Sequence, residues 1–212
     1  MVSGKKSLSI SVIGGLLVIL LFCIFTLASA VRYPGAFSPL DNCISDLGTM
    51  AKNPGGYIYF NIGCILTGVS TLLLVGGMGD WNVDKKKGVF TVGRLLGGAS
   101  TVVLMLIGVF DENTPYHTIL SLAFFLLLGL FLIVINIALW KHPAYKRWIG
   151  YYAIAAIAID VIFSITYVVY EHAPVWEWLA VFGALIWVGM LAYNMRDLPA
   201  SANIPPSAND SR

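Results

Sequence analysis

Ser38-Pro-Leu-Asp-Asn-Cys-Ile-Ser-Asp-Leu-Gly-Thr-Met-Ala-Lys-Asn-Pro54 is a long polar stretch set between two apolar runs, Leu8–Val31 and Tyr57–Gly77. Each run holds about 20 residues, the number a helix rising about 1.5 Å per residue needs to cross a hydrocarbon core of about 30 Å. The polar stretch therefore reads as a loop joining two membrane spans, and any chemistry this chain performs is expected in or beneath it.

Outward from that loop the pattern repeats. Val89–Phe110, His117–Trp140, Trp148–Tyr170 and Val175–Tyr193 are four more apolar runs of spanning length, joined by short connections. The composition agrees: 58% of the 212 residues are hydrophobic and 11% charged, against about 25% charged in soluble domains. A water-soluble domain of this size needs more charged surface, so the chain is predicted to be an all-α, polytopic integral membrane bundle of six transmembrane helices. Residues 1–196 form one such domain, and residues 197–212, rich in Pro, Ser, Ala and Asn, have little to bury and are expected to be a disordered cytoplasmic tail. Lys5 and Lys6 before an apolar run that ends in Ala28-Ser29-Ala30 also fit a cleavable leader, but such apolar cores run about 7 to 15 residues, so the first span is expected to be retained.

Charge sets the orientation. Lys5, Lys6, Lys85, Lys86, Lys87, Arg94, Lys141, Lys146, Arg147, Arg196 and Arg212 fall on one side, and only Arg32 and Lys52 on the other. The positive-inside rule then puts both termini in the cytoplasm. Tyr and Trp gather at both boundaries, as interfacial belts do. Acids and histidines favour the external side: Asp41, Asp46, Asp111, Glu112, His117, Glu171, His172 and Glu177 come from all three outer connections and the adjoining helical turns. A bundle could bring several of them together under the long loop.

Two readings compete for these residues. Asp41, Asn42, Ser45 and Asp46 are turn-formers and caps, and Gly48 suits the left-handed end of a short helix. Alternatively Asp46, Asp111 and His117 act as bases or ligands in one external pocket, with Ser45, His172 and Glu177 as further members. Nothing near Ser45 in sequence would activate it as a nucleophile. Imidazole and carboxylate suit a divalent metal, with His117, His172, Asp46 and Asp111 as the candidate ligands, although their spacing matches no metal motif. Capping explains the same histidines: His117 follows Thr114-Pro115, an N-cap with proline at the first helical position, and His172 precedes Pro174 at a helix start.

The residues also resemble a family. Ile44-Ser45-Asp46-Leu47-Gly48, then Asn53-Pro54 and Phe60-Asn61 opening the second span, is similar to the uncharacterised prokaryotic membrane proteins grouped as domain-of-unknown-function family nine-nine-eight. A more distant likeness is to the DRAM and Sfk-type membrane proteins. Gly108-Val109-Phe110-Asp111, His117 and Glu177 continue it, while Phe110 and Trp178 stand where such relatives often carry Pro and Arg. The resemblance implies six spans and a link to lipids, and no defined reaction.

Within the bilayer, Arg94 lies about 9 Å inside its span and can snorkel to the interface. Asp160 lies near the midplane, with Ser164, Tyr167 and Glu171 following at helical spacing, a polar stripe that marks either an ion path or a hydrogen bond to a neighbouring helix. Gly93-x-x-x-Gly97 with Gly98, and Gly63 with Thr67 or Gly68, offer small faces for close helix approach. Cys23, Cys43 and Cys64 make no disulfide framework. Three functions fit: a lipid-associated protein of the cell membrane acting on a lipid or isoprenoid headgroup, a small proton-linked transporter using Asp160, or a non-catalytic scaffold or regulator. Membrane lipid is the expected partner, a homo-oligomer is compatible, and nothing points to nucleic acid.

Overall fold

A computed structural model describes residues 8–198; Lys5, Lys6 and most of the expected tail lie outside the described residues. It has six helices, α1 (Ile10–Ala30), α2 (Tyr57–Gly77), α3 (Lys87–Ile107), α4 (His117–Leu139), α5 (Arg147–Tyr170) and α6 (Pro174–Met195), and no strand among the described residues. All six are long and apolar enough to cross a membrane. The expected spans and the observed helices agree to within about three residues at every end.

The ends have local causes. α6 starts on Pro174 at the first helical position, where its missing N–H removes nothing. α5 stops at Glu171, whose φ of 55° is left-handed. The expected cap of α4 is displaced: the Thr114 hydroxyl donates to the Asp111 carbonyl at 2.8 Å, and the helix begins at His117 after Tyr116. Two 3₁₀ turns, Ser45–Gly48 and Met78–Trp81, lie in the connections.

Each helix packs on its sequence neighbours, and α1 also packs on α6, so the six close into a ring. The long α1–α2 connection, the α3–α4 connection and the α5–α6 turn share one end, here called the lid face. Leu74, Met78, Ile135, Leu139, Ile149 and Leu191 are fully buried toward the opposite end, where α1 begins and α6 ends. Trp81, also fully buried, sits edge-on to His142 and Tyr145 and closes that end. Phe131 of α4 meets Trp187 of α6 at a ring separation of 5.4 Å across the middle. α5 is peripheral: 17% of its apolar window is buried, against 44% in α2 and α6.

Arg94 uses its position to close a helix end. Its Nε donates to Val75 O at 3.0 Å and its Nη2 to Gly76 O at 2.8 Å, supplying the orphan carbonyls at the end of α2. A Cβ at Gly93 would lie 2.7 Å from the Ile135 side chain, and one at Gly97 2.9 Å from the Phe131 ring, so both admit α4. Gly98 does not belong to that face and meets open space, because one residue turns a helix by about 100°. Helices α1, α2, α3, α4 and α6 enclose a cavity of about 70 Å³ lined by Phe22, Thr67, Thr101, Leu128 and Leu185 among others.

Candidate lid site

The lid is built on the 3₁₀ turn. Ile44 and Leu47 are buried apolar side chains that draw it onto α1 and α2. Asn53, fully buried, then fixes it: Nδ2 donates to Ser29 Oγ at 2.9 Å and to Leu47 O at 3.1 Å. Ser29 Oγ also donates to Leu47 O at 3.1 Å, and Asn61 Nδ2 to Gly48 O at 3.0 Å. Gly48 is not left-handed; Gly35 is the glycine with positive φ among the described residues. Closeness is what Gly48 supplies, since a Cβ there would lie 2.5 Å from Asn61 Oδ1 and 2.8 Å from the Phe60 ring.

Charged groups converge on this turn from two other connections. Asp46 Oδ2 accepts the Cys43 N–H at 3.0 Å, and its Oδ1 lies 2.6 Å from Lys52 Nζ. The same ammonium is 2.7 Å from Glu112 Oε2, which also accepts from Thr49 Oγ1 at 3.0 Å. Side-chain exposure grades outward, 7% for Asp46, 30% for Glu112 and 44% for Lys52. From the first turn of α6, buried Glu177 accepts the Ile44 N–H at 2.8 Å, and the neighbouring Trp178 indole donates to Asn42 O at 2.9 Å.

Electrostatics follow the geometry. Burial works against the Lys52 ammonium, but its hydrogen bonds to Asp46 and Glu112 outweigh that and raise its pKa above the ordinary lysine value. A raised pKa contributes stability that is fully present below the ordinary lysine value and is lost as pH rises through the folded one, so the bridge survives the whole physiological range. Burial also pushes the Cys43 thiol well up, and the Glu177 carboxylate adds to the shift. Cys43 is therefore a neutral thiol, not a nucleophile.

The remaining residues singled out in the sequence take other partners. Asp111 turns onto its own connection, its two oxygens each accepting from Asn113 at 3.1 Å, and the adjacent Glu112 reaches the lid instead. His117 is buried, with Nδ1 donating to Phe110 O at 3.0 Å. His172 is exposed, with Nδ1 3.8 Å from Cys43 Sγ. Ser45 accepts from Thr49 Oγ1 through its backbone carbonyl at 3.4 Å, and its side chain hydrogen-bonds the Glu177 carboxylate. The four candidate metal ligands are thus directed at different groups, and no cluster of three or more His, Cys, Asp or Glu suited to a metal occurs among the described residues. Lys52 and Asn53 were not among the candidate site residues, and Glu112 was named only as one of the external acids. Lys52 carried a signal, as one of two cations on a side rich in acids.

A family model matches residues 16–194. The chain belongs to the DUF998 family of proteins of unknown function. No curated protein and no solved structure matches it. This DUF998 protein is an integral multi-pass membrane protein, and the matched segment takes in all six helices except the first turns of α1 and the last residue of α6.

The polar stripe of α5 in this DUF998 chain is divided. Asp160 and Ser164 line the seam between α4 and α5. Tyr167 instead packs against Phe163, ring to ring at 5.6 Å, and Glu171 is exposed beyond the helix end.

The charge bridge makes a measurable prediction. Lys52→Met should destabilise the protein by about 1–3 kcal/mol, because it strands the buried Asp46 carboxylate, the partly exposed Lys52 keeping the figure below that of a fully buried pair. Combined with Asp46→Asn, the loss should fall short of the sum by about 1 kcal/mol or more in a double-mutant cycle read by denaturation in detergent. Additive losses would show that the bridge carries no coupling.

Proposed function

We propose that this DUF998 protein is a lipid-associated protein of the cell membrane, with the lid on the external side, and that the rim of the lid binds the headgroup of a zwitterionic phospholipid. One observation carries the reading: Lys52 and Glu112 stand side by side, opposite in charge and partly exposed, while buried Asp46 holds the ammonium in place. Two N–H groups of Lys52 serve Asp46 and Glu112, and the third suits a headgroup phosphate. Glu112 suits the headgroup amine. Arg32, its guanidinium 4.3 Å from the centre of the Tyr59 ring, adds a second cation on the same face. Tyr33, Phe37, Trp178 and Phe182 follow one another ring to ring, at 5.0, 5.9 and 5.7 Å, from the lid into the spanning region, and offer an apolar track beside the headgroup position. The neutral thiol of Cys43 and the structural engagement of Asp46 favour binding over reaction.

Retention of individual lipids on the purified protein, followed by native mass spectrometry, tests this. Phosphatidylethanolamine should be retained in preference to phosphatidylglycerol, which lacks the amine, and to diacylglycerol, which lacks both charges. Glu112→Gln should remove the first preference and Lys52→Met the second. Equal retention of all three lipids by the wild type would defeat the proposal.

A further inference from the structure

The seam between α4 and α5 forms a slot. One hollow of about 330 Å³ is lined by Leu126, Gly129, Ile133, Asp160 and Ser164 among others. A second, of about 220 Å³, is lined by Ile133, Trp140, Gly150 and Ile157 among others. The two share Ile133 and Ile157, so they run in line along the helices. Along α4 and its C-cap the slot extends from Leu122 to Trp140, about 27 Å at 1.5 Å per residue.

Asp160 stands in this slot without a partner. Several helical hydroxyls bond to a carbonyl one turn back: Ser70 donates to Leu66 O at 2.9 Å, Thr71 to Thr67 O at 2.9 Å and Thr166 to Ile162 O at 2.7 Å. Asp160 Oδ1 is buried with no hydrogen-bond partner, as are Thr67 Oγ1, Thr101 Oγ1 and Trp187 Nε1, and of these groups it alone belongs to a carboxyl. Its Oδ2 is directed at Gly129, where a Cβ would lie 2.7 Å away, so the glycine keeps the slot clear at that point. Asp160 is about 20 Å from the start of α5, in the middle of the helix and hence of the hydrocarbon core. A carboxyl left unpaired there is costly.

Shape and chemistry together define the occupant. A groove about 27 Å long, lined along its length by Leu126, Ile133, Ile137 and Ile157, selects an extended apolar chain. The carboxyl selects the head. An ordinary phospholipid keeps its polar part at the interface and brings only methylenes to this depth. A hydroxyl at the end of a chain is complementary, because it donates to a carboxylate oxygen and accepts from a carboxylic acid, and so pairs with Asp160 in either protonation state. A second copy fits less well, since Ile154, Val161 and Ile165 stand exposed on α5 while Oδ1 is buried. We propose that the α4–α5 seam binds a long-chain alcohol, its hydroxyl on Asp160 and its chain lying along the slot toward Trp140.

The test uses two probes, hexadecanol with a mid-chain diazirine and the hexadecane carrying the same diazirine, added to the full chain in phosphatidylcholine nanodiscs. Light-induced labelling of α4 and α5 peptides by the alcohol should exceed that by the hydrocarbon roughly fivefold, the ratio one net hydrogen bond gives. Asp160→Leu should erase the preference and Asp160→Asn, which still hydrogen-bonds, should keep it. Equal labelling of the wild type by the two probes overturns the proposal, whether or not Asp160→Leu folds. So does a site filled by a second copy, seen as α5-to-α5 crosslinks from Ala158→Cys that block labelling.

Discussion

Asn53→Leu should cost about 2–4 kcal/mol and lower the apparent melting temperature in detergent by about 5–15 °C, at about 2–4 °C per kcal/mol for a chain of this size. Asn53 is fully buried, and its Nδ2 is shared by Ser29 Oγ, Ser29 O and Leu47 O, which ties the lid to the end of α1. Leucine is similar in bulk but donates nothing, so those acceptors lose a partner in a place water does not reach. Ser29→Ala should cost less, about 1 kcal/mol, because Asn53 still reaches Leu47 O. Lid opening can be followed separately by the reaction of Cys43, buried beneath the same loop, with a thiol reagent. Asn53→Leu should speed that reaction; a melting temperature and thiol reactivity both unchanged from wild type would show that Asn53 does not anchor the lid.

Gly14→Val is expected to be the other severe substitution. A Cβ at Gly14 would lie 2.5 Å from Leu74 N and 2.9 Å from Ser70 O, both backbone atoms of α2 that cannot swing aside. α1 must then move off α2, the helix it packs on most extensively, at a cost of about 3 kcal/mol or more. Loss of a monodisperse species on gel filtration is the expected readout. Gly98→Ala serves as the control, since nothing lies within 4 Å of that position and alanine is the better helix former by about 1 kcal/mol. Equal behaviour of the two variants would show that the α1–α2 approach is not close-packed.

The six helices were legible because a run of about twenty apolar residues has few other meanings. Their ends were less so, as at Thr114, where capping α4 and closing the Asp111 turn both satisfy the same hydroxyl. For the lid, residue type was informative and direction was not. Asp111 and Glu112 are adjacent acids, and which one faces Lys52 depends on how the chain leaves α3 at Gly108, a matter of backbone angles that periodicity does not encode. Asn53 entered the sequence reading only as part of the motif Asn53-Pro54, which says nothing of the side chain bonded to α1. Asp160 needed no such direction to be noticed. A carboxylate in the middle of an apolar run is visible in any register, whereas the partnership of Asp46 with Lys52 requires the loop to be folded first.

The ring of helices has a consequence for how the protein is made. Its two most extensive interfaces, α1 with α2 and α3 with α4, each join consecutive helices. A chain entering the membrane from its amino end can therefore complete two hairpins, and dock them through α2 and α3, while the ribosome is still translating α5. Asn53 and Lys52 are already in place by then, and so is Glu112. Glu177 and Trp178 arrive last and clasp the lid from the far side. Biogenesis thus divides the molecule into an early four-helix piece that carries most of the lid and a late pair that finishes it. The Lys141–Lys146 connection is the natural place at which two separately translated fragments would find each other.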